Sequence, residues 1–382
     1  MVTSMNMISR DIKNTFTLRV FSLIMLVMFG LSSCQEDDET GTTEEEQNQP
    51  SATDFNDLLS NQVNEVILPT MVNYQIKMSD LVNAVNGLST SADTSNLRST
   101  RTAYQQAYLA YQAAAVHNYY ATANAGLVEN TNLYPINPSV LNDLIANRSY
   151  NFGTTAQMRA NGFPALDYML YQPTDVVTYF NADSNRIDFL NALVTSMKSR
   201  ADDLVMQWSG NLRTNFVANG GTALGSSISV QLNDGLIYYE DHIRESKVGF
   251  PIGRSGPNDS PFAADPTKIE AYYQSVASGN EDFTLQLLKA SVEEMEDLYL
   301  GESTLQVNGI GYDDMLMIRN QTTVHEDIKT HFANIYAKIN ERNSINGNED
   351  LYNSVQALVT IYKSDLLPLL NVQDADGLND GD

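Results

Sequence analysis

The residues able to do chemistry fall into a few groups. The densest is Glu240, Asp241 and His242, with Arg244 and Glu245. Glu240 and Arg244 are four apart, the spacing of an ion pair along one helix face. Asp241 and Glu245 share that spacing beside His242. Their carboxylates are candidate ligands for a hard cation, which prefers oxygen donors, although a solvated charged face has the same pattern. His325 and Glu326 open the zinc-peptidase pattern of two histidines four apart, but Lys329 stands where the second histidine must be. Arg254 lies in a stretch rich in Gly and Pro, 250–266, and is a candidate contact for an anionic ligand. Asp374, Asp376 and Gly377 begin like a calcium loop, but the distal glutamate is missing, and the segment reads as an acidic tail. Gly220 and Gly221, like Gly309 and Gly311, have no lysine or helix start beside them and read as turns.

Cys34 is the only cysteine in 382 residues, which leaves no disulfide, thiol nucleophile or cysteine metal site. Arg10, Lys13 and Arg19 precede or open the apolar run Val20 to Gly30, which is shorter than the roughly 20 residues needed to span a bilayer. Leu31-Ser32-Ser33-Cys34 follows. A basic start, an apolar middle and small residues before a cysteine form a lipoprotein signal, with cleavage before Cys34 and lipid on its sulfur. The acidic cluster Glu36-Asp37-Asp38-Glu39 resembles the surface-export signal of Bacteroidetes lipoproteins. The expected location is the cell envelope, as an outer-membrane lipoprotein displayed on the outer face. The expected partner there is the membrane itself, through Cys34. The formal charge of −25 excludes nucleic acid as a default partner, because phosphate contacts need basic patches.

These groups need elements to hold them. Residues 35–53 are too polar to bury and read as a tether. Helical periodicity starts at Asp54, a plausible N-cap, and runs to Leu88 with a break or kink expected at Pro69. Leu97, Tyr104, Tyr108, Tyr111 and Ala115 form one face of a second helix, which reads as core packing. Further helical stripes follow at 140–147, 156–171, 189–216, 228–243, 285–298, 324–339 and 351–366. Strand patterns are nearly absent. The chain therefore reads as all-α, with two antiparallel helical bundles of four-helix-bundle type packed together. The expected division is 1–33 signal, 34–53 tether, 54–181 first bundle, 182–372 second bundle and 373–382 acidic tail.

Asn161 to Tyr171, reading Asn-Gly-Phe-Pro-Ala-Leu-Asp-Tyr-Met-Leu-Tyr, resembles the signature helix of the imelysin family, also called M75 peptidase-like or iron-regulated lipoproteins. Members read Gly-x-His-x-x-Glu there. The helix around Ser99 to Tyr108, the stretch Lys247 to Gly253 and the Asp-Gly-Asp end resemble other parts of the family, so the likeness covers residues 55–382. The resemblance implies two four-helix bundles with a site at the signature helix, formed here by Gly162, Pro164, Asp167 and Tyr168. Asp167, Asp241 and Glu245 would be the carboxylates for iron or another divalent metal. Pro164 stands in the histidine position and offers no ligand, and Asp167 is one methylene shorter than glutamate. The expected role is therefore a non-enzymatic binding component in iron, haem or other nutrient acquisition, acting with an envelope uptake protein. A metallopeptidase and a protein- or glycan-binding module with a decayed site are the alternatives.

Overall fold

The computed structural model describes residues 49–255, 263–303 and 308–375. The expected lipidation at Cys34 and the signal lie outside the described residues. Every regular element in the described part is helical, as the periodicity predicts. No helix among the described residues is long and apolar enough to cross a membrane.

Helix α1 (Ala52–Asn61) starts one turn earlier than expected. Ser51 is the cap and Asp54 the third helical residue, each bonded to the other's backbone N–H. Such a reciprocal box satisfies two donors that a helix start leaves open. The kink expected at Pro69 takes another form. The chain passes from α1 through a π-helical segment, Gln62–Ile67, into α2 (Leu68–Thr90), with Pro69 in its first turn. A proline inside an α-helix lacks a donor and collides with the preceding turn. Widening that turn to i→i+5 bonding makes room for the ring without ending the helix. The same solution recurs at Tyr239–Gly249 before Pro251, and at Tyr362–Leu366 before Pro368.

Helix α3 (Thr94–Val116) returns beside α2 after a turn in which Asp93 accepts hydrogen bonds from the N–H groups of Ser95 and Asn96, both 2.9 Å. The short helix Val176–Ala182 ends at Asp183, which also caps α4 (Ser184–Ser209). Helix α4 packs along α2, and helix α5 (Asp282–Leu300) along α3. Helix α6 (Thr322–Glu341) packs on α7 (Glu349–Ile361), and α7 lies against the π segment Tyr239–Gly249. The apolar faces meet in one buried cluster that runs from Phe55 to Val372. Tyr104, Tyr108 and Tyr111 are inside it, with Tyr108 stacked on Phe163 at 4.3 Å between ring centroids. Of the histidines, His117 is bonded to Glu294 (2.6 Å) and Tyr119 (2.8 Å), and His325 to Tyr299 (3.0 Å).

Candidate functional site

The signature helix spans Gly162–Tyr171 and is preceded by a tighter 3-10 turn, Thr155–Ala160. Gly162 has φ +67°, and a Cβ there would lie 1.8 Å from the carbonyl oxygen of Thr131. The position needs glycine for its backbone shape and for the close approach of Thr131. Pro164 lies in the first turn, where its missing N–H removes no intrahelical bond. Asp167, one turn on, is 2% exposed. Its Oδ2 accepts the Tyr273 N–H at 2.7 Å, and its Oδ1 accepts the Gln274 N–H at 3.0 Å and the Tyr104 hydroxyl at 3.4 Å.

Tyr273 and Gln274 begin the short helix Tyr272–Ser278, whose own cap residue, Ala271, sits in the left-handed region with no side-chain bond. Asp167 therefore caps that helix from across the core. Burial pushes the Asp167 carboxyl up to about 7, and the hydrogen bonds oppose that rise. Both oxygens are used by the fold, and Pro164 supplies no donor. Among the described residues, no group of three or more His, Cys, Asp or Glu side chains is placed to hold a metal. The residues of the signature helix do not fit a metal centre.

Asp167, Pro164, Tyr272, Tyr273 and Tyr134 line a cleft of about 260 Å³. Tyr134 also lines a second cleft of about 210 Å³, with Arg159, His242, Lys247, Lys268 and Glu270. At the base of the second cleft lies a charged pair. The Lys247 ammonium is 2.6 Å from Glu270 Oε2 and from Gln112 Oε1. Glu270 Oε1 accepts from Gln112 (3.0 Å) and from Asn132 (2.5 Å), whose own oxygen accepts the Tyr108 hydroxyl (2.6 Å). Ser291 donates to Gln112 Oε1 at 3.1 Å. Lys247 and Glu270 are 3% and 2% exposed. Burial lowers the Lys247 ammonium below its usual range, and the carboxylate beside it opposes that fall. A buried pair this completely bonded is the condition under which charges persist in a low-dielectric interior.

His242 and Lys247 are five residues apart. An α-helix would turn them to different faces, but the i→i+5 bonding of Tyr239–Gly249 brings both to the same cleft. The His242 ring lies 4.9 Å from that of Tyr238. Burial, with the Lys247 charge adding to it, pushes His242 down to about 4, so the ring is neutral at neutral pH.

The remaining residues singled out by sequence lie elsewhere. Tyr168 stands edge-on to Tyr273 at 5.0 Å. Asp241 is exposed, whereas Glu245 is buried with Oε1 3.1 Å from the Arg244 Nε. Arg254 pairs with Glu349 at 3.4 Å. None of these four lines either cleft. Sequence reasoning missed Gln112, Asn132, Tyr134 and Glu270 as site residues. It met His242 and Lys247 only as parts of a charged cluster and of a family-like stretch.

The model of the imelysin family, a peptidase M75 family, matches residues 67–360. No curated protein matches the chain. Two of the solved structures similar to it illustrate the likeness. One is a putative iron-regulated protein A precursor from Parabacteroides distasonis: 16% identity, TM-score 0.67, covering 82% of this chain and 95% of that one. The other is an imelysin-like protein from Psychrobacter arcticum: 16% identity, TM-score 0.68, covering 86% and 98%. At that identity the likeness is one of fold.

Proposed function

The chain belongs to the imelysin family, and from that premise we propose that it is a non-enzymatic binding component in iron-related nutrient acquisition, held at the outer membrane by lipid on Cys34. One observation carries the binding role. The motif carboxylate, Asp167, is spent on capping Tyr272–Ser278, while two clefts remain open beside it. The similarity to a protein described as iron-regulated supports the biological setting. The lipobox and the acidic run behind Cys34 support display on the outer face. A metallopeptidase needs a metal-activated water, and Pro164 with a fully bonded Asp167 offers no ligands for that metal.

The test is equilibrium titration of the mature chain with ferric iron, haem and zinc, beside a proteolysis assay run with and without chelator. The binding reading expects a saturable complex and no cleavage. Chelator-sensitive proteolysis would replace it with the peptidase reading, and the absence of any complex would remove it.

A further inference from the structure

The cleft above Lys247 and Glu270 carries donors that the protein does not use. Arg159 gives one bond, at 3.3 Å, to the carbonyl of Pro135. Lys268 lies over the Phe250 ring at 5.7 Å. Neither is in an ion pair with a carboxylate among the described residues, though the Lys268 charge acts on Asp265, in a chain with 47 acidic and 22 basic residues. Tyr134 lines both clefts, and its hydroxyl is buried with no hydrogen-bond partner. A buried unmatched donor costs roughly 1–3 kcal/mol, so an acceptor arriving from outside is favoured there. Acceptors on the cleft are fewer. Glu270 is saturated by three N–H bonds, and Glu129 stands exposed at the rim. Cations without an ion-pair partner among the described residues, grouped at a concave site on a protein otherwise strongly negative, draw anions to that place.

We propose that this cleft binds a small polycarboxylate anion, with Arg159 and Lys268 holding carboxylates at the mouth and Tyr134 donating from the wall. The inference rests on the reading of the chain as a binding protein and names its ligand class. It also accounts for how an iron-related protein can do without a ring of metal ligands at its signature helix. The oxygens of a ferric polycarboxylate complex come from the bound anion, so the protein needs to recognise only the anion's charge and shape. Arginine suits this work because its planar fork matches a carboxylate bidentately.

Calorimetric titration of the mature chain with citrate, ferric citrate and the uncharged triethyl citrate tests the proposal. Citrate, free or ferric, is expected to bind and the ester is not. The double variant Arg159→Gln/Lys268→Gln should weaken citrate binding about tenfold or more, as the loss of charged hydrogen bonds implies. Tyr134→Phe should weaken it by a smaller factor. A control with the same charge change elsewhere, Lys77→Gln/Lys289→Gln, should leave binding within about twofold of the parent, which separates the cleft from general charge effects. Equal binding by the Arg159/Lys268 variant and the parent would overturn the proposal, as would tight binding of the ester. If haem or ferric iron binds and no citrate form does, the ligand class is wrong while the binding role stands. If no probe binds, both fail.

Discussion

Two buried carboxylates stand near Tyr134, and the fold treats them differently. Among the described residues no cation pairs with Asp167. It is held by two backbone N–H groups and a tyrosine hydroxyl, and burial raises its affinity for a proton. Glu270 has the Lys247 ammonium against it, with Gln112 and Asn132 completing its bonds. Backbone dipoles suit a carboxylate whose task is to join two helices. A paired and fully bonded carboxylate suits the base of a cavity, because it holds its charge without calling on the cavity's contents. The residue marked by the family's motif therefore serves architecture, and the residue marked by no motif supports the cleft.

Glu270→Ala should give the largest effect. It leaves the Lys247 ammonium buried and unpaired, and unfolding in urea should show a loss of roughly 3–5 kcal/mol. Replacing both partners, Lys247→Met with Glu270→Leu, should recover most of that loss. If the double variant is as unstable as the single one, the pair is not the unit it is taken to be.

Asp167 breaks the comparison through pH. Its folded carboxyl is raised from 3.8 to about 7, so the folded state holds the proton more tightly than the unfolded chain. The contribution is complete below the unfolded value and disappears as pH rises through about 7. Across that window the parent should lose stability, on the order of 4 kcal/mol at most, relative to Asp167→Asn, which does not titrate. Parallel pH profiles for the two proteins would contradict the burial of Asp167.

At a fixed pH near 6, Asp167→Ala leaves the Tyr273 and Gln274 N–H groups without an acceptor. It should cost about 2 kcal/mol, with hydrogen exchange accelerating first in Tyr272–Ser278. Tyr134→Phe should give the smallest effect. Its hydroxyl is buried without a partner, so removing it should raise stability by about 1 kcal/mol, the low end of the cost of an unmatched buried polar group.

The helices were legible because their apolar stripes repeat at 3.6 residues, as Leu97 to Ala115 does. Gly162 and Pro164 were legible as a motif, although their reasons are steric: a positive φ pressed against Thr131, and a helix start. The second cleft was not legible, because Gln112, Asn132, Lys247 and Glu270 come from four separate segments and share no local spacing. The spacing rule itself misled at 241–247. Four-residue spacing pairs Asp241 with Glu245, whereas the segment is wound with five-residue bonding and pairs His242 with Lys247. The signal available in the sequence was Pro251 at the end of an otherwise regular helical run, just as Pro69 and Pro368 end the other two π segments.

Those proline-terminated π segments have an evolutionary corollary. Each is wound with i→i+5 bonds and so uses more residues than an α-helix would to cover the same path. Since the bonding can change locally between i→i+5 and i→i+4, a residue gained or lost there is absorbed within the segment, and side chains inside it change face while those beyond it keep theirs. A single-codon insertion or deletion within 239–249 can thus exchange the side chains that face the cleft and leave the packing partners of the bundle in place. Lineages could retune what the cavity accepts by shifting phase instead of substituting residues, and point-by-point comparison of aligned positions would not register the change.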